Sequence, residues 1–116
     1  AVTPGVAASG LDDLHSACSA LANAGCQRLL LREPSLDSDQ VETLVQHLLL
    51  LYPRDGLVVH EKCANARCIA STYGLGLHLR STTDWRAERA KWNGPLGASA
   101  HCIEELRLAE ELGMDW

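Results

Sequence analysis

Residues 97–116, GASAHCIEELRLAEELGMDW, decide how the chain is expected to fold. Leu106, Ala109 and Leu112 recur at helical spacing, with Leu108 beside them, and Gly113 is typical of a helix end. After this stop the chain continues as Met-Asp-Trp, in the manner of a chain that enters a strand. The stretch therefore reads as a strand end, a helix and the first step of another strand.

The same alternation extends back to the N-terminus. Apolar runs bounded by turn residues predict short strands at 2–3, 27–31, 57–60, 76–79 and 96–99. Helices are predicted at 11–24, 64–71, 85–92 and 102–112, together with one that carries Val41, Leu44, Val45, Leu48 and Leu49 on one face. Short, continuously apolar strands suit a parallel sheet that is buried on both faces, so the predicted class is α/β with a repeating βα unit.

Polar residues at the helix starts are candidate caps. They are Ser9 or Asp12 for the first helix, Ser35 or Asp37 for the second, Thr82 or Asp84 for the fourth, and Ser99 or His101 for the last.

Two architectures fit such a repeat. One is a small doubly wound sheet of the flavodoxin type, and the other is the first half of a TIM (βα)8 barrel, whose full length is roughly 200 residues or more. A complete doubly wound domain is expected to finish an element, so the strand start at 115–116 favours the half barrel. We therefore expect one domain, 1–116, truncated at the start of strand 5. Its open sheet edge would need a second copy of the chain or the missing half barrel as partner.

Composition narrows the class of protein. The formal net charge of -5 disfavours a nucleic-acid binder, because neutralising phosphates requires a surplus of Lys and Arg. The longest apolar run, 48–51, is far too short to span a membrane. The N-terminus lacks the features of a signal peptide, and it also lacks an initiator Met, which is compatible with trimming.

The five cysteines are an odd number and contain no CxxC pair, which fits a reducing compartment and a cytoplasmic or plastid protein. Cys63, Cys68 and His60 match no common zinc spacing. We expect the cysteines to be small buried hydrophobic residues instead.

Polar residues follow the predicted strands, at the edge where parallel α/β sheets place their ligands. Arg32 and Lys62, together with Ser99, are suited to phosphate oxygens. Glu61 offers oxygen ligands to magnesium, and His60 or His101 could exchange hydrogen bonds with a ligand. The set predicts a phosphorylated small molecule as ligand. In the alternative interpretation, Arg32-Glu33 is a solvated ion pair and His78 is a core histidine.

At these positions the sequence resembles thiamine phosphate synthases and their TenI relatives. The carriers of the resemblance are AVTP (1–4), LLLREPS (29–35), LVVHEK (57–62), GLGLHLRS (74–81) and LGASAHCIEELRLAEELGMDW (96–116). The order and spacing agree along essentially the whole chain. The resemblance implies a (βα)8 barrel in which a magnesium-dependent synthase joins an aminopyrimidine diphosphate to a thiazole phosphate.

The family's functional residues carry over unevenly. Its Arg, Ser and His are present as Arg32, Ser99 and His101, and the last two would be the catalytic pair. Its metal-binding Asp corresponds to Glu61, and its second metal Asp falls at Thr83, beside Asp84. The remaining substrate-binding positions are altered: Leu30 for Gln, Pro34 for Lys, His60 for Asn, Lys62 for Arg, and Arg80-Ser81 for Gly-Gln. His78 lies within the strand at the position where the family motif also has His.

Two functions follow from this mixture. One is an enzyme of thiamine biosynthesis, either a synthase or a TenI-like thiazole tautomerase, with degenerate diphosphate-binding motifs. The other is a non-catalytic module that binds a ligand or a protein, such as the TenI-like domain found after a Nudix hydrolase. By either account this chain alone is expected to be inactive, because half of the phosphate site would be absent.

Overall fold

The computed structural model describes residues 1–3, 5 and 10–116. Helices and strands alternate along them as α1 (Leu11–Asn23), β1 (Leu29–Leu31), α2 (Ser38–Leu48), β2 (Leu57–His60), α3 (Ala66–Tyr73), β3 (Gly76–Leu79), α4 (Trp85–Lys91), β4 (Leu96–Ala98) and α5 (Ile103–Glu111). A short 3₁₀ turn, Arg54–Gly56, precedes β2. The predicted alternation is confirmed, whereas the predicted strand at 2–3 is only an isolated bridge between Val2 and Leu30.

The four strands form one parallel sheet in the order β1-β2-β3-β4. Val2 lies beyond β1, and on the far side of β4 the Asp115 N–H donates to the Leu96 carbonyl oxygen at 2.7 Å. Chain order and spatial order therefore coincide, whereas a doubly wound sheet reverses its order at a switch point. The doubly wound alternative is wrong for the described residues. The sheet has the progression of half a βα barrel.

Side-chain caps determine where two of the helices begin. Asp37 accepts a hydrogen bond from the Gln40 N–H at 2.8 Å, and the Gln40 side chain accepts one from the Asp37 N–H, which is a complete capping box. Asp84 caps α4 by accepting from the Ala87 N–H at 3.1 Å. Of the alternatives, Asp37 and Asp84 are thus the caps, and Ser35 and Thr82 are not.

The other predicted caps are wrong or lie outside the described residues. α1 begins after Gly10 without a side-chain cap, so Asp12 belongs to its first turn, and Ser9 is not among the described residues. α5 begins after Cys102, also without a side-chain cap. Ser99 and His101 are therefore not helix caps.

The hydrophobic core lies between the helices and one face of the sheet. Alternate strand residues on this face are at most 1% exposed: Leu29, Leu31, Leu57, Val59, Leu77, Leu79 and Leu96. The buried positions of α2 are Val41, Leu44, Val45 and Leu48, as its predicted apolar face requires, while Leu49 is only partly buried. The apolar positions that recur at helical spacing in α2 and at every second residue in the strands thus lie in the same buried layer.

The opposite face of the sheet, which we call the open face, contains Leu30 and Val58, both half-buried. It also contains Gly76 and Gly97, against which the Trp116 indole packs. A side chain at either glycine would collide with this ring, so the glycines make room for it.

In α5 the predicted apolar face is only partly confirmed. Leu108, Ala109 and Leu112 pack at the edge of the core. Leu106 is 57% exposed and Ile103 is 58% exposed, because both point away from the sheet. Leu106 therefore does not share the partly buried face of Ala109 and Leu112 that its spacing predicts. None of the described helices is long and apolar enough to cross a membrane.

All five cysteines lie in the described part of the chain and are free thiols. Cys18 and Cys63 are buried, and burial, their largest influence, raises the pKa of both thiols. Cys68 and Cys102 are exposed, so the expectation of buried cysteines is wrong for these two.

Candidate functional site

The carboxyl ends of the four strands bring the predicted polar residues to one edge of the sheet. Arg32 follows β1, Glu61 follows β2, Arg80 follows β3 and Ser99 follows β4. The register pairs His60 with His78 across β2 and β3. We call this region the carboxyl edge: Arg32, His60, Glu61, Lys62, His78, Arg80 and Ser99.

His78 is buried at the centre of the carboxyl edge, and both of its ring nitrogens have partners. Nε2 lies 2.9 Å from the Ser99 hydroxyl, and Nδ1 lies 2.8 Å from the Trp116 indole nitrogen. An indole N–H can only donate, so Nδ1 must accept and the proton of neutral His78 is on Nε2. The Nε2–H therefore donates to Ser99. Burial lowers the pKa of His78, which favours this neutral form.

His60 lies beside His78, with 5.4 Å between the ring centroids. Its Nδ1 accepts a hydrogen bond from the Lys62 backbone N–H at 3.1 Å, which places its proton on Nε2 as well. Burial first, then His78 and the positive charge of Arg32, lower the pKa of His60 to about 4. Both histidines are therefore neutral near pH 7, and neither supplies a positive charge to a ligand.

Glu61 is a hub of hydrogen bonds, and its side chain is only 4% exposed. Oε1 accepts from the Arg80 backbone N–H at 2.6 Å, from Arg80 Nε at 3.0 Å and from the Thr83 hydroxyl at 2.5 Å. Oε2 accepts from Arg67 at 3.2 Å, and Arg67 also pairs with Glu88. Burial raises the pKa of Glu61, but the hydrogen bonds from Thr83, Arg80 and Arg67 outweigh it and the net pKa is lowered.

The remaining cations of the carboxyl edge are less constrained. The Arg32 backbone N–H donates to the Thr3 hydroxyl at 2.8 Å, while its side chain is half-buried and Lys62 is exposed. Glu33, next to Arg32, is completely buried and accepts from the Gly5 N–H at 3.1 Å. The interpretation of Arg32-Glu33 as a solvated pair is therefore wrong for Glu33.

Two further predicted site residues, His101 and Asp84, make hydrogen bonds to the helices that follow them. His101 is exposed, and its backbone N–H donates to Glu105 at 2.6 Å. Among the described residues no hydrogen bond joins the His101 imidazole to Ser99 or His78. The catalytic roles of His101 and Ser99 stay predictions from the family resemblance. Asp84 uses its carboxylate to cap α4.

These residues fit magnesium poorly. Mg²⁺ requires free oxygen ligands in near-octahedral geometry, and a carboxylate has about four lone-pair positions. Oε1 of Glu61 already accepts three hydrogen bonds, from Arg80 and Thr83, and Oε2 accepts one from Arg67, so a cation would compete with these donors. Within the described residues no group of three or more His, Cys, Asp or Glu side chains could hold a metal ion. Magnesium at Glu61 and Asp84 stays a prediction from the family resemblance.

The main cleft lies elsewhere, over the open face and towards the amino ends of the strands. It encloses about 470 Å³, and its lining includes Leu30, Val58, Trp116 and Pro95. His78 also lines it and is the one residue that it shares with the carboxyl edge. Charged residues line it as well, namely Arg28, Asp55 and Asp115.

Gly97→Ala is expected to displace the Trp116 indole from His78 and to lower the free energy of unfolding by about 1 kcal/mol, the value of one hydrogen bond. The new methyl group would overlap the indole ring. NMR of the Trp116 Nε1–H and of the His78 ring nitrogens would detect the change. In a Trp116→Ala background the same substitution should be neutral or stabilising, because alanine is favoured over glycine in a strand. Equal costs in both backgrounds would contradict the contact.

No protein-family model matches the chain, and no curated protein or solved structure matches it either. The resemblance to thiamine phosphate synthases therefore rests on the quoted sequence motifs alone.

Sequence reasoning missed Arg67, Thr83 as a hydrogen-bond donor, and Trp116. Arg67 lies in α3, six residues after Glu61, and no local pattern distinguishes it from a solvated surface arginine. The packing of Trp116 could have been suspected from Gly76 and Gly97, because glycines inside strands often mark the close approach of another group.

Proposed function

We propose that this chain is a thiamine phosphate synthase/TenI-like domain that binds a phosphorylated thiamine precursor at the carboxyl edge, with thiazole phosphate as the first candidate. The observation that carries the proposal is the convergence of Arg32, Lys62 and Arg80 with the Ser99 hydroxyl at one end of a parallel βα sheet. Guanidinium and ammonium groups are the donors that proteins use for phosphate oxygens. The ends of parallel strands are where such ligands bind in βα folds.

The altered family positions favour a monophosphate over a diphosphate. Leu30 and Pro34 stand where the family has Gln and Lys, and each replacement removes a donor. His60, which stands where the family has Asn, is neutral near pH 7 and supplies no positive charge to compensate. The TenI-like branch, which handles thiazole phosphate alone, therefore agrees better with these residues than the synthase reaction does. The cytoplasm is the proposed location, and a second copy or a complementary half barrel the proposed partner.

A non-catalytic ligand-binding module is the second candidate, for example one fused to a Nudix hydrolase. It is favoured by the lack of a hydrogen bond, among the described residues, between the His101 imidazole and Ser99 or His78, and by the arginines that already pair with Glu61. A module of this kind needs the cations of the carboxyl edge but no acid-base pair.

Calorimetric titration distinguishes these functions. We expect thiazole phosphate to bind the chain and the aminopyrimidine diphosphate with Mg²⁺ to bind at least about tenfold more weakly, which corresponds to about 1.4 kcal/mol. Arg32→Gln should weaken the binding of thiazole phosphate. The matched control, Arg86→Gln, removes an arginine from the exposed pair with Glu111 and should have no effect. If neither compound binds, the proposed function is wrong. If both bind with similar affinity, a synthase function is favoured over a TenI-like function.

A further inference from the structure

The arrangement around Glu61 is that of a carboxylate which orients arginines. Arg67 donates to Oε2 of Glu61, and its Nε donates to Glu88 at 3.0 Å, so this guanidinium is held between two carboxylates. Arg80 uses Nε and its backbone N–H for Oε1 of Glu61. Within the described residues the two terminal nitrogens of Arg80 make no hydrogen bond, and its side chain is 51% exposed.

A guanidinium anchored through Nε presents its remaining N–H groups as a planar fork, which is the geometry that binds phosphate with two parallel hydrogen bonds. The Trp85 indole N–H donates to the Arg80 carbonyl oxygen at 2.7 Å, and Thr83 joins the loop to Glu61. These bonds hold the Arg80 backbone in one place. Arg80 is therefore pre-organised to present its fork at the carboxyl edge.

A divalent cation at the same carboxylate would meet two guanidinium groups within about 3 Å of the oxygens it needs. Arg67 lies at 3.2 Å and Arg80 at 3.0 Å from the Glu61 carboxylate. The cation would have to displace at least one of these guanidinium groups from the Glu61 carboxylate. The arginines and a metal ion therefore exclude each other at this position.

We infer that Glu61 is a positioning residue for Arg80 and not a metal ligand, and that the carboxyl edge binds a phosphate monoanion or dianion through Arg80 without a divalent cation. The inference rests on the proposed phosphate-binding function. It assigns to Arg80 the neutralisation of phosphate charge that the family resemblance assigns to magnesium.

Titration with inorganic phosphate, in EDTA and again in millimolar Mg²⁺, tests the inference. The two affinities should agree within about twofold, and Arg80→Gln should weaken binding about tenfold in both buffers, since a hydrogen bond to a charged group contributes about 1.5 kcal/mol or more. Arg86→Gln should leave the affinity within about twofold of the unmodified chain, because its partner Glu111 lies on the exposed surface.

Glu61→Gln separates positioning from metal binding. It should weaken phosphate binding equally with and without Mg²⁺ and should accelerate hydrogen exchange at the Arg80 backbone amide, whereas Glu111→Gln should change neither. Added Mn²⁺ should not broaden the NMR signals of residues 60–62. Selective broadening there, or phosphate binding that requires Mg²⁺, overturns the inference and leaves the proposed function intact. If thiazole phosphate binds and Arg80→Gln has no effect, the inference fails alone. If neither phosphate compound binds, both fail.

Discussion

Replacing Gly56 by alanine is expected to lower the free energy of unfolding by about 3 kcal/mol, at the upper end for an overpacked position. Gly56 ends the 3₁₀ turn before β2, and its Cα faces the backbone of Gln27, which leads into β1. A methyl group there would overlap the Gln27 carbonyl oxygen and lie 3.2 Å from the Pro53 ring. Urea unfolding followed by circular dichroism measures the loss.

The size of the effect follows from what would have to move. β1 and β2 are held in register from Leu29↔Leu57 onward, so neither backbone can retreat without breaking that pairing. Gly94→Ala is the matched control, because the atoms nearest to its methyl group belong to the Trp92 side chain, the first at 3.1 Å, and a side chain can yield. If Gly56→Ala unfolds at the same urea concentration as Gly94→Ala, the close approach of the two backbones is wrong.

As the pH is lowered, the chain is expected to lose stability through His60 at a higher pH than the one at which the carboxylates of the chain bind protons. The pKa of His60 is lowered from 6.5 to about 4 in the folded state, by burial first and then by His78 and Arg32. Above pH 6.5 both folded and unfolded states are neutral at this residue. Between pH 6.5 and 4 the unfolded state binds a proton that the folded state does not, so stability falls as the pH falls. The full loss is about 3 kcal/mol, at about 1.4 kcal/mol for each pH unit.

His60→Gln isolates this contribution, because glutamine can still accept the Lys62 N–H and does not titrate. Unfolding free energies of both proteins between pH 7 and 4.5 should diverge, with the smaller slope in the variant. The lowered pKa of His78 adds a slope of the same sign that is present in both proteins. Glu61, whose pKa is lowered too, loses its contribution only at lower pH. An NMR titration that places His60 near 6.5, or equal slopes, would contradict the prediction.

The alternation of elements and most of their positions were accessible from the sequence. The strands at 57–60 and 76–79 have the predicted bounds, and the caps Asp37 and Asp84 were among the candidates. The α2 face was predicted residue by residue, apart from Leu49. These features depend on neighbours within four positions along the chain, and such neighbours are visible in a sequence.

The candidate site was predicted in location but not in its bonds. Polar residues after each strand indicated the carboxyl edge, since parallel strands end together. Glu61 as an arginine hub, Glu33 as a buried carboxylate and His78 between Ser99 and Trp116 were not predictable. Their partners lie between six and 38 residues away along the chain.

The sequence by itself therefore determined the βα repeat, the buried faces and the edge at which the polar groups meet. Only the tertiary structure decided the linear strand order, the protonation states of His60 and His78, and whether Glu61 faces arginines or is open to a metal ion. The physical reason is that propensity and periodicity act within one element. Hydrogen bonds and desolvation depend on which distant groups the packed chain brings within about 3 Å of each other.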